Sequence, residues 1–255
     1  MNKYKIIDNL SAIIGFPFCR KHEIPVIYYH SIVNSGGKSY SHTDFEVFKR
    51  HMKYLIDNNY ETLLFNEVSE SFRKKTNKKC VIIAFDDGFK DNYTLIFDYM
   101  KENKLKYNIF LIGSKIGIDS NYLSWEDVEV MYKSGLVDFG AHTYSHIDCR
   151  QINSDNLVKE IEETNALIEE HTKNPVTDFC FPYGYYNQNV IDFFAEHTPY
   201  KKLYTSNYMP VNIIKNHSFR GRIPLRNEDN IKVFEHKLKG YYNFMYYLKY
   251  KKEAK

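Results

Sequence analysis

The stretch Cys80-Val81-Ile82-Ile83-Ala84-Phe85-Asp86-Asp87-Gly88 runs through six uncharged, mostly apolar residues and then meets two carboxylates and a glycine. A short run of this kind, rich in β-branched side chains, fits a strand buried on both faces, as strands of parallel sheets are. The aspartates then stand at the C-terminal end of that strand. In β/α folds these ends share one face of the sheet, and active sites collect there.

Similar short apolar stretches recur at 26–29, 107–112, 137–140, 178–181, 203–205 and, more weakly, 219–223. Helical signals lie between them. Thr43-Asp44-Phe45-Glu46 has capping-box spacing ahead of Phe45, Phe48, Met52 and Leu55. Tyr93, Ile96, Phe97 and Met100 make another apolar face. Ser124 stands where a cap precedes a helix from Trp125, and Gly135 is placed to end it. Leu157, Ile161, Thr164 and Ile168 form a longer stripe, and Val190, Phe193 and Phe194 mark one more helix. Seven strands alternating with helices read as an α/β fold with a mainly parallel sheet. The length of 255 residues suits a single barrel of ~250 residues. An open doubly wound sheet is the alternative, and patterning alone leaves both standing.

Composition narrows the function. Hydrophobic residues are 43% and charged residues 26% of the chain, which excludes a disordered polymer. No run approaches the ~18 apolar residues of a membrane span. A net charge of +3 gives no case for a nucleic-acid partner. Cys19, Cys80, Cys149 and Cys180 form no C-x-x-C pair, which argues against zinc-ribbon and thioredoxin chemistry and fits a reducing compartment. Residues 1–23 read as an amphipathic extension. Asp8 and Asn9 interrupt its apolar part and no small-residue cleavage site follows, so a cytoplasmic location is expected rather than secretion. The alternating pattern fills 24–236. Residues 237–255 carry six Lys against one Glu, interleaved with Tyr241, Tyr242, Phe244, Tyr246, Tyr247 and Tyr250. Such a tail suits peripheral contact with an anionic membrane. Its plainer reading is a segment packing its aromatics on the barrel.

Polar clusters follow four of the strands: His30, Asp86-Asp87-Gly88, His142-Thr143-Tyr144-Ser145-His146 and Pro182-Tyr183-Gly184. Two histidines four apart can offer nitrogens to one metal ion, and Asp87 is the candidate third ligand. Consecutive side chains of an extended chain point in opposite directions, so Asp86 is left free to handle a proton. Two neutral histidines and one carboxylate leave a divalent ion open positions, which is a catalytic composition. Zinc is the first choice, and Co, Ni, Fe or Mn are compatible. The Tyr183 N–H, held by Pro182, is placed to stabilise an oxyanion. His30 has the right pKa range for a general acid. Each feature alone has a bland reading: a chance H-x-x-x-H, a capping aspartate pair, a turn, a core histidine. Their joint placement at strand ends favours the chemical one.

Phe85-Asp86-Asp87-Gly88, His142 to His146 and Phe181-Pro182-Tyr183-Gly184 resemble, in order, the first three motifs of the polysaccharide deacetylase family, also called carbohydrate esterase family 4 or the NodB homology group. The resemblance runs from about 24 to 226. It implies a distorted, incomplete (β/α) barrel of about seven parallel strands and metal-dependent hydrolysis of N- or O-acetyl groups on sugars. It implies Asp86 as the catalytic base, Asp87, His142 and His146 as the metal triad, and Tyr183 as the residue whose backbone N–H faces the oxyanion.

Two departures stand out. Cys180 occupies the place of an Arg that orients the base in the family, and no late Leu-x-His motif is present. Residues 24–31, however, resemble the start of the circularly permuted branch that includes poly-N-acetylglucosamine deacetylases. There the acid histidine comes from an N-terminal Tyr-His, which implies His30. Arg222, in Phe219-Arg220-Gly221-Arg222-Ile223-Pro224, is expected to stand in for the missing Arg. The expected activity is deacetylation of an N-acetylated sugar, polymeric or lipid-linked. An O-acetyl esterase and a degenerate carbohydrate-binding relative are the alternatives. A glycosidase is disfavoured, because adjacent Asp86 and Asp87 do not straddle a bond as its carboxylate pair must.

Overall fold

The computed structural model describes residues 15, 24–37, 39, 41–68, 78–151, 153–208, 212–214 and 217–245. In chain order the strands and α-helices are β1 (Val26–Tyr29), β2 (Ser31–Val33), β3 (His42–Asp44), α1 (Phe45–Asp57), β4 (Glu61–Thr62), β5 (Cys80–Phe85), α2 (Asp91–Thr94), α3 (Phe97–Glu102), β6 (Tyr107–Leu111), α4 (Trp125–Lys133), β7 (Val137–Ala141), α5 (Ser154–Thr172), β8 (Asp178–Cys180), α6 (Gln188–His197), β9 (Lys202–Thr205), β10 (Asn212–Ile214), β11 (His217–Gly221), β12 (Ile223–Pro224) and α7 (Ile231–Leu238).

One sheet runs β10-β11-β9-β8-β7-β6-β5-β1-β12, with β4 attached to β5. Within it, only β10 pairs in the antiparallel sense among the described residues. β11 pairs with β9 near one end of this order and β12 pairs with β1 at the other. Yet only Arg222 separates β11 from β12 in sequence. The sheet therefore curls into a nearly closed barrel, with Arg222 at the seam. The stretch 219–223, expected as one strand, is broken there because its two halves pair with opposite sides of the opening.

Burial divides the strands by alternation. Val26, Tyr28, Ile82 and Ala84 join an inner cluster with Phe65, Phe110, Cys180 and Tyr204. Ile27, Tyr29, Val81, Ile83 and Phe85 join the layer shared with the helices. All six residues of β5 are buried, as a two-faced strand requires. The segment around Phe65 closes the end of the barrel where the strands begin. Its N–H donates to Asn108 Oδ1 at 2.7 Å, Asn108 Nδ2 donates to the Leu63 and Ile83 carbonyls, and Lys202 Nζ donates to the Phe65 carbonyl. Only the opposite end, where the strands finish, remains open for a site.

The cap at α4 is as expected: Ser124 accepts from the Asp127 N–H, with Asp127 completing the box. The expected box at Thr43–Glu46 does not form. Thr43 is a buried strand residue, and Asp44 precedes the helix without a side-chain cap bond. The Asp44 carboxylate accepts from Gly37 N–H and Asn227 Nδ2 instead, and Glu46 pairs with Lys49. Tertiary partners have outcompeted the local motif. Of the tail aromatics, Tyr242 and Phe244 are buried. Tyr246, Tyr247 and Tyr250 lie outside the described residues, as do Cys19 and nearly all of residues 1–23. Among the described residues no helix is long and apolar enough to cross a membrane.

Candidate active site

The residues singled out at four strand ends meet in space. Asp86 leaves β5 buried and turns to the barrel seam. Arg222, fully buried, holds both its oxygens: Nη1 lies 2.5 Å from Oδ1 and Nη2 lies 2.7 Å from Oδ2. The guanidinium also stacks over the Tyr28 ring at 4.2 Å. Burial pushes the Asp86 carboxyl up, but the Arg222 charge and hydrogen bonds outweigh it and hold it at about 2. His30 Nε2 is 3.9 Å from Asp86 Oδ2. Burial lowers the His30 pKa, against a smaller opposing pull from Asp86.

Asp87 faces the other way. The two carboxylates diverge because Asp87 adopts a left-handed turn at φ 73°, not because the chain stays extended. Gly88 follows at φ 79°, and a Cβ there would lie 2.7 Å from the Leu111 side chain, so glycine is required on both counts. Asp87 Oδ1 is 3.6 Å from His142 Nε2 and 3.5 Å from His146 Nε2. His142 Nδ1 donates to the Cys180 carbonyl at 2.7 Å, which fixes its tautomer and leaves the Nε2 lone pair free. His146 Nδ1 lies 3.2 Å from the Tyr183 hydroxyl. Burial lowers both histidines, His142 to about 3, so both rest as neutral imidazoles. Burial first, and the Asp86 charge second, push Asp87 up to about 7.

These residues fit a divalent metal ion. Asp87 Oδ1 is buried without any hydrogen-bond partner, a costly arrangement for a carboxylate unless a cation completes it. Ligands at ~2.0–2.1 Å in a tetrahedral shell stand ~3.4 Å apart, close to the observed separations. Asp86, His142 and Cys180 also cluster, but Arg222 already occupies both Asp86 oxygens and burial holds the Cys180 thiol protonated. That second set does not fit.

Backbone strain concentrates here. Asp87, Thr143, His146 and Tyr183 all have φ between 59° and 73°, costly for residues with a Cβ. Tyr183 sits in a short 3-10 turn, Pro182–Gly184. No hydrogen bond from its N–H to a described residue is seen. Gly184, at φ 70°, packs against Ser206, where a Cβ would lie 2.5 Å from the backbone nitrogen.

Sequence reasoning missed several supporting groups. The Cys180 carbonyl and the Tyr28 ring carry no sequence signal. Asp91 and Asn92 do carry a faint one, as polar residues opening a helix. Asp91 accepts from Ser31 Oγ and the Ile32 N–H, and Asn92 Nδ2 donates to the His30 carbonyl. Together they clamp the backbone that carries His30.

Grooves flank the cluster. One, of ≈ 540 Å³, passes His30 between Ser39, Ser206 and residues 224–228. The other, of ≈ 610 Å³, passes His146, Tyr183 and Tyr185.

Known proteins resemble this chain in sequence and in fold. Residues 73–200 match the family model described as "Polysaccharide deacetylase". YxkH of Bacillus subtilis, which bears a polysaccharide deacetylase name, is 32% identical over 181 residues, or 70% of this chain, and this chain spans 63% of that relative's length. The poly-β-1,6-N-acetyl-D-glucosamine N-deacetylase of Staphylococcus epidermidis is 28% identical over 204 residues, covering 74% of this chain and 70% of the relative. The solved structure of the Streptococcus pyogenes deacetylase PplD in complex with acetate superposes with a TM-score of 0.76 at 20% identity, over 84% of this chain and 97% of that one, and shares the fold. His30 and Arg222 lie outside the matched segment 73–200, whereas Asp86, Asp87, His142, His146 and Tyr183 lie inside it. On the strength of that match and of the fold, this chain belongs to the polysaccharide deacetylase family.

Proposed function

We propose that this protein is a metal-dependent hydrolase that removes acetyl groups from N-acetylated sugars of a polysaccharide or lipid-linked glycan. The observation that carries this reading is the partnerless, buried Asp87 Oδ1 between the Nε2 atoms of two neutral histidines, beside an Asp86 held anionic by Arg222. Asp87, His142 and His146 would hold the ion, with zinc the first candidate and Co, Ni, Fe or Mn compatible with the same donors. Such an ion supplies Lewis acidity, polarising the acetyl carbonyl and acidifying water.

The protein's own groups do the rest. Asp86 takes a proton from the attacking water. Arg222 orients it and keeps it charged, at the expense of basicity. His30 rests neutral and needs a proton before it can act as an acid, and Asp86 Oδ2 at 3.9 Å is placed to hand one over. The water O–H bond breaks, the new C–O bond forms, the C–N bond breaks, and the amine nitrogen receives the proton from His30. The Tyr183 N–H is assigned to the developing oxyanion.

Metal analysis combined with acetate release tests this. The panel contains N-acetylglucosamine oligomers, a lipid-linked N-acetyl sugar and an O-acetylated xylan. Release from the N-acetyl substrates, lost on chelation, is the expected result. Release from the xylan alone would make the protein an O-acetyl esterase. Sugar binding with neither metal nor acetate release would make it a carbohydrate-binding relative.

We place the activity in the cytoplasm, with the basic aromatic tail of residues 237–255 touching an anionic membrane, through 246–255 because Lys237, Tyr242 and Phe244 are buried. The support is the composition of that segment, three Tyr and four Lys against one Glu.

A further inference from the structure

His142 and His146 reach the site by different means. His142 is the first residue after β7. Its backbone N–H donates to the Leu111 carbonyl at 3.0 Å, and its Nδ1 donates to the Cys180 carbonyl. The sheet itself places it. His146 lies four residues further on, at the end of a turn in which Thr143 and His146 are both left-handed, at φ 63° and 59°. Residues with a Cβ keep such a conformation only where their surroundings hold them in it.

The first half of this turn is held by the loop after β6. Gly113 N–H donates to the Thr143 carbonyl at 3.2 Å, and Ser114 N–H donates to the Tyr144 carbonyl at 2.8 Å. The second half is held by Glu160. The Ser145 N–H donates to Glu160 Oε2 at 2.8 Å, and Ser145 Oγ donates to Glu160 Oε1 at 2.6 Å. Among the described residues, no other hydrogen bond reaches Ser145. Both oxygens of one carboxylate thus serve the residue that precedes His146. Glu160 stands on α5, whose Leu157 and Ile161 are buried in the core, so the carboxylate is carried by a fixed element. Hydrogen bonds to an ionised acceptor are also the stronger kind.

We propose that Glu160 is a positioning residue for the metal centre. Through Ser145 it holds the 143–146 turn in the strained form that brings His146 Nε2 beside Asp87. This rests on the reading of Asp87, His142 and His146 as metal ligands. Without Glu160 the turn relaxes towards ordinary backbone in the metal-free protein, and an ion must restore the strained form as it binds. Its affinity falls accordingly. The role needs two hydrogen bonds and no charge. Glutamine can supply both: its carbonyl accepts from the Ser145 N–H, and its amide donates to Ser145 Oγ once that hydroxyl turns.

Zinc titration of the metal-free full chain against a chromophoric chelator tests this, with urea denaturation of the same metal-free proteins alongside. Glu160→Ala is expected to raise the zinc Kd about 10–100-fold, the usual effect of removing a group one step behind a ligand. Glu160→Gln should stay close to the wild-type value. Ser145→Ala, which loses one of the two bonds, should fall between. Ser145→Ala on top of Glu160→Ala should add nothing, because the two residues act as one unit. The urea midpoints of the metal-free variants should lie close to that of the wild type. An unchanged zinc Kd in Glu160→Ala overturns the proposal, most plainly if the metal-free protein is destabilised instead. An equal loss in Glu160→Gln also overturns it, by assigning the effect to charge. Wild type that binds zinc no better than Glu160→Ala removes the positioning role alone, whereas wild type that binds no zinc removes the metal reading with it.

Discussion

Asp86 and Asp87 are neighbours in sequence and carry the same functional group, yet the fold gives them opposite surroundings. Asp86 points into the barrel seam, where a bidentate guanidinium engages both its oxygens, one lone pair on each, and holds its pKa at about 2. Asp87 turns outward on a left-handed residue to two neutral histidines, keeps an oxygen without a partner, and is pushed up to about 7. One carboxylate is paired as folded, and the other keeps an oxygen with no hydrogen-bond partner among the described residues, which is the observation behind the proposed cation site. The difference shows how a barrel end assigns two roles to one dipeptide. A complete ion pair fixes the orientation of a proton-transfer group, and an incomplete one waits for a ligand.

The strongest way to break this contrast is to remove the incomplete half. Asp87→Ala and His142→Ala are expected to abolish both metal binding and activity, while Asp86→Asn retains metal and loses activity. Equilibrium dialysis against zinc, read beside acetate release, checks all three. Metal lost in Asp86→Asn and kept in Asp87→Ala would exchange the two roles.

The complete half should instead fail as a structural element. Arg222→Met leaves Asp86 charged, buried and unpaired, which is expected to cost about 3–5 kcal/mol in unfolding free energy. Urea denaturation measures this. A shift near zero would mean that the seam admits water and that the pair is not what closes it.

His30 sharpens the comparison, because its Nε2 lies 3.9 Å from Asp86 Oδ2 and it is not among the proposed metal ligands. His30→Ala should lower kcat by ~10²–10⁴ with metal content and urea midpoint unchanged. A near-normal rate would take the acid role away from His30.

A smaller effect concerns a second buried group without a countercharge in direct contact. His51 is wholly buried between the Tyr29 hydroxyl and the Asp229 carbonyl and stacks on Phe234, and burial lowers its pKa from 6.5 to about 4. Its folded pKa lies below the unfolded value, so the unfolded chain takes up the proton first as pH falls. Stability from this group is therefore full above about pH 6.5 and declines between roughly pH 6.5 and 4, by at most about 3 kcal/mol. Urea midpoints of the wild type at pH 7.5 and 5, set against those of His51→Gln, isolate the contribution. An unchanged pH slope in the variant would assign the decline to other groups.

The smallest expected effect lies in the tail. Deleting residues 246–255 spares the buried Tyr242 and Phe244. It should weaken sedimentation with anionic vesicles and leave folding intact. Equal sedimentation of both forms ends the membrane proposal.

Much of this was legible in the chain itself. Continuous apolar runs marked the parallel strands, since a two-faced strand must be apolar at every position. The polar groups that ended those runs named Asp86, Asp87, His142, His146 and Tyr183, because strand ends of a β/α fold converge. The capping box at Thr43 misled for the reason such motifs often do. Asp44 had better partners in Gly37 and Asn227, one of them 183 residues away.

What the sequence by itself determined was therefore the main parallel strands, though not the short β2, β3, β4 and β10 or the break at Arg222, together with the chemical groups at their ends and, through the motif resemblance, the family. These follow from local periodicity, which a chain carries within a few residues. Tertiary structure alone decided which aspartate meets which partner. The seam between β11 and β12 brings Arg222 onto Asp86 across 136 positions. The Cys180 carbonyl sets the His142 tautomer across 38. The left-handed turn at Asp87 points its carboxylate away from its neighbour's. Such pairings depend on how the sheet closes, and closure is a property of the whole barrel that no short stretch of sequence contains.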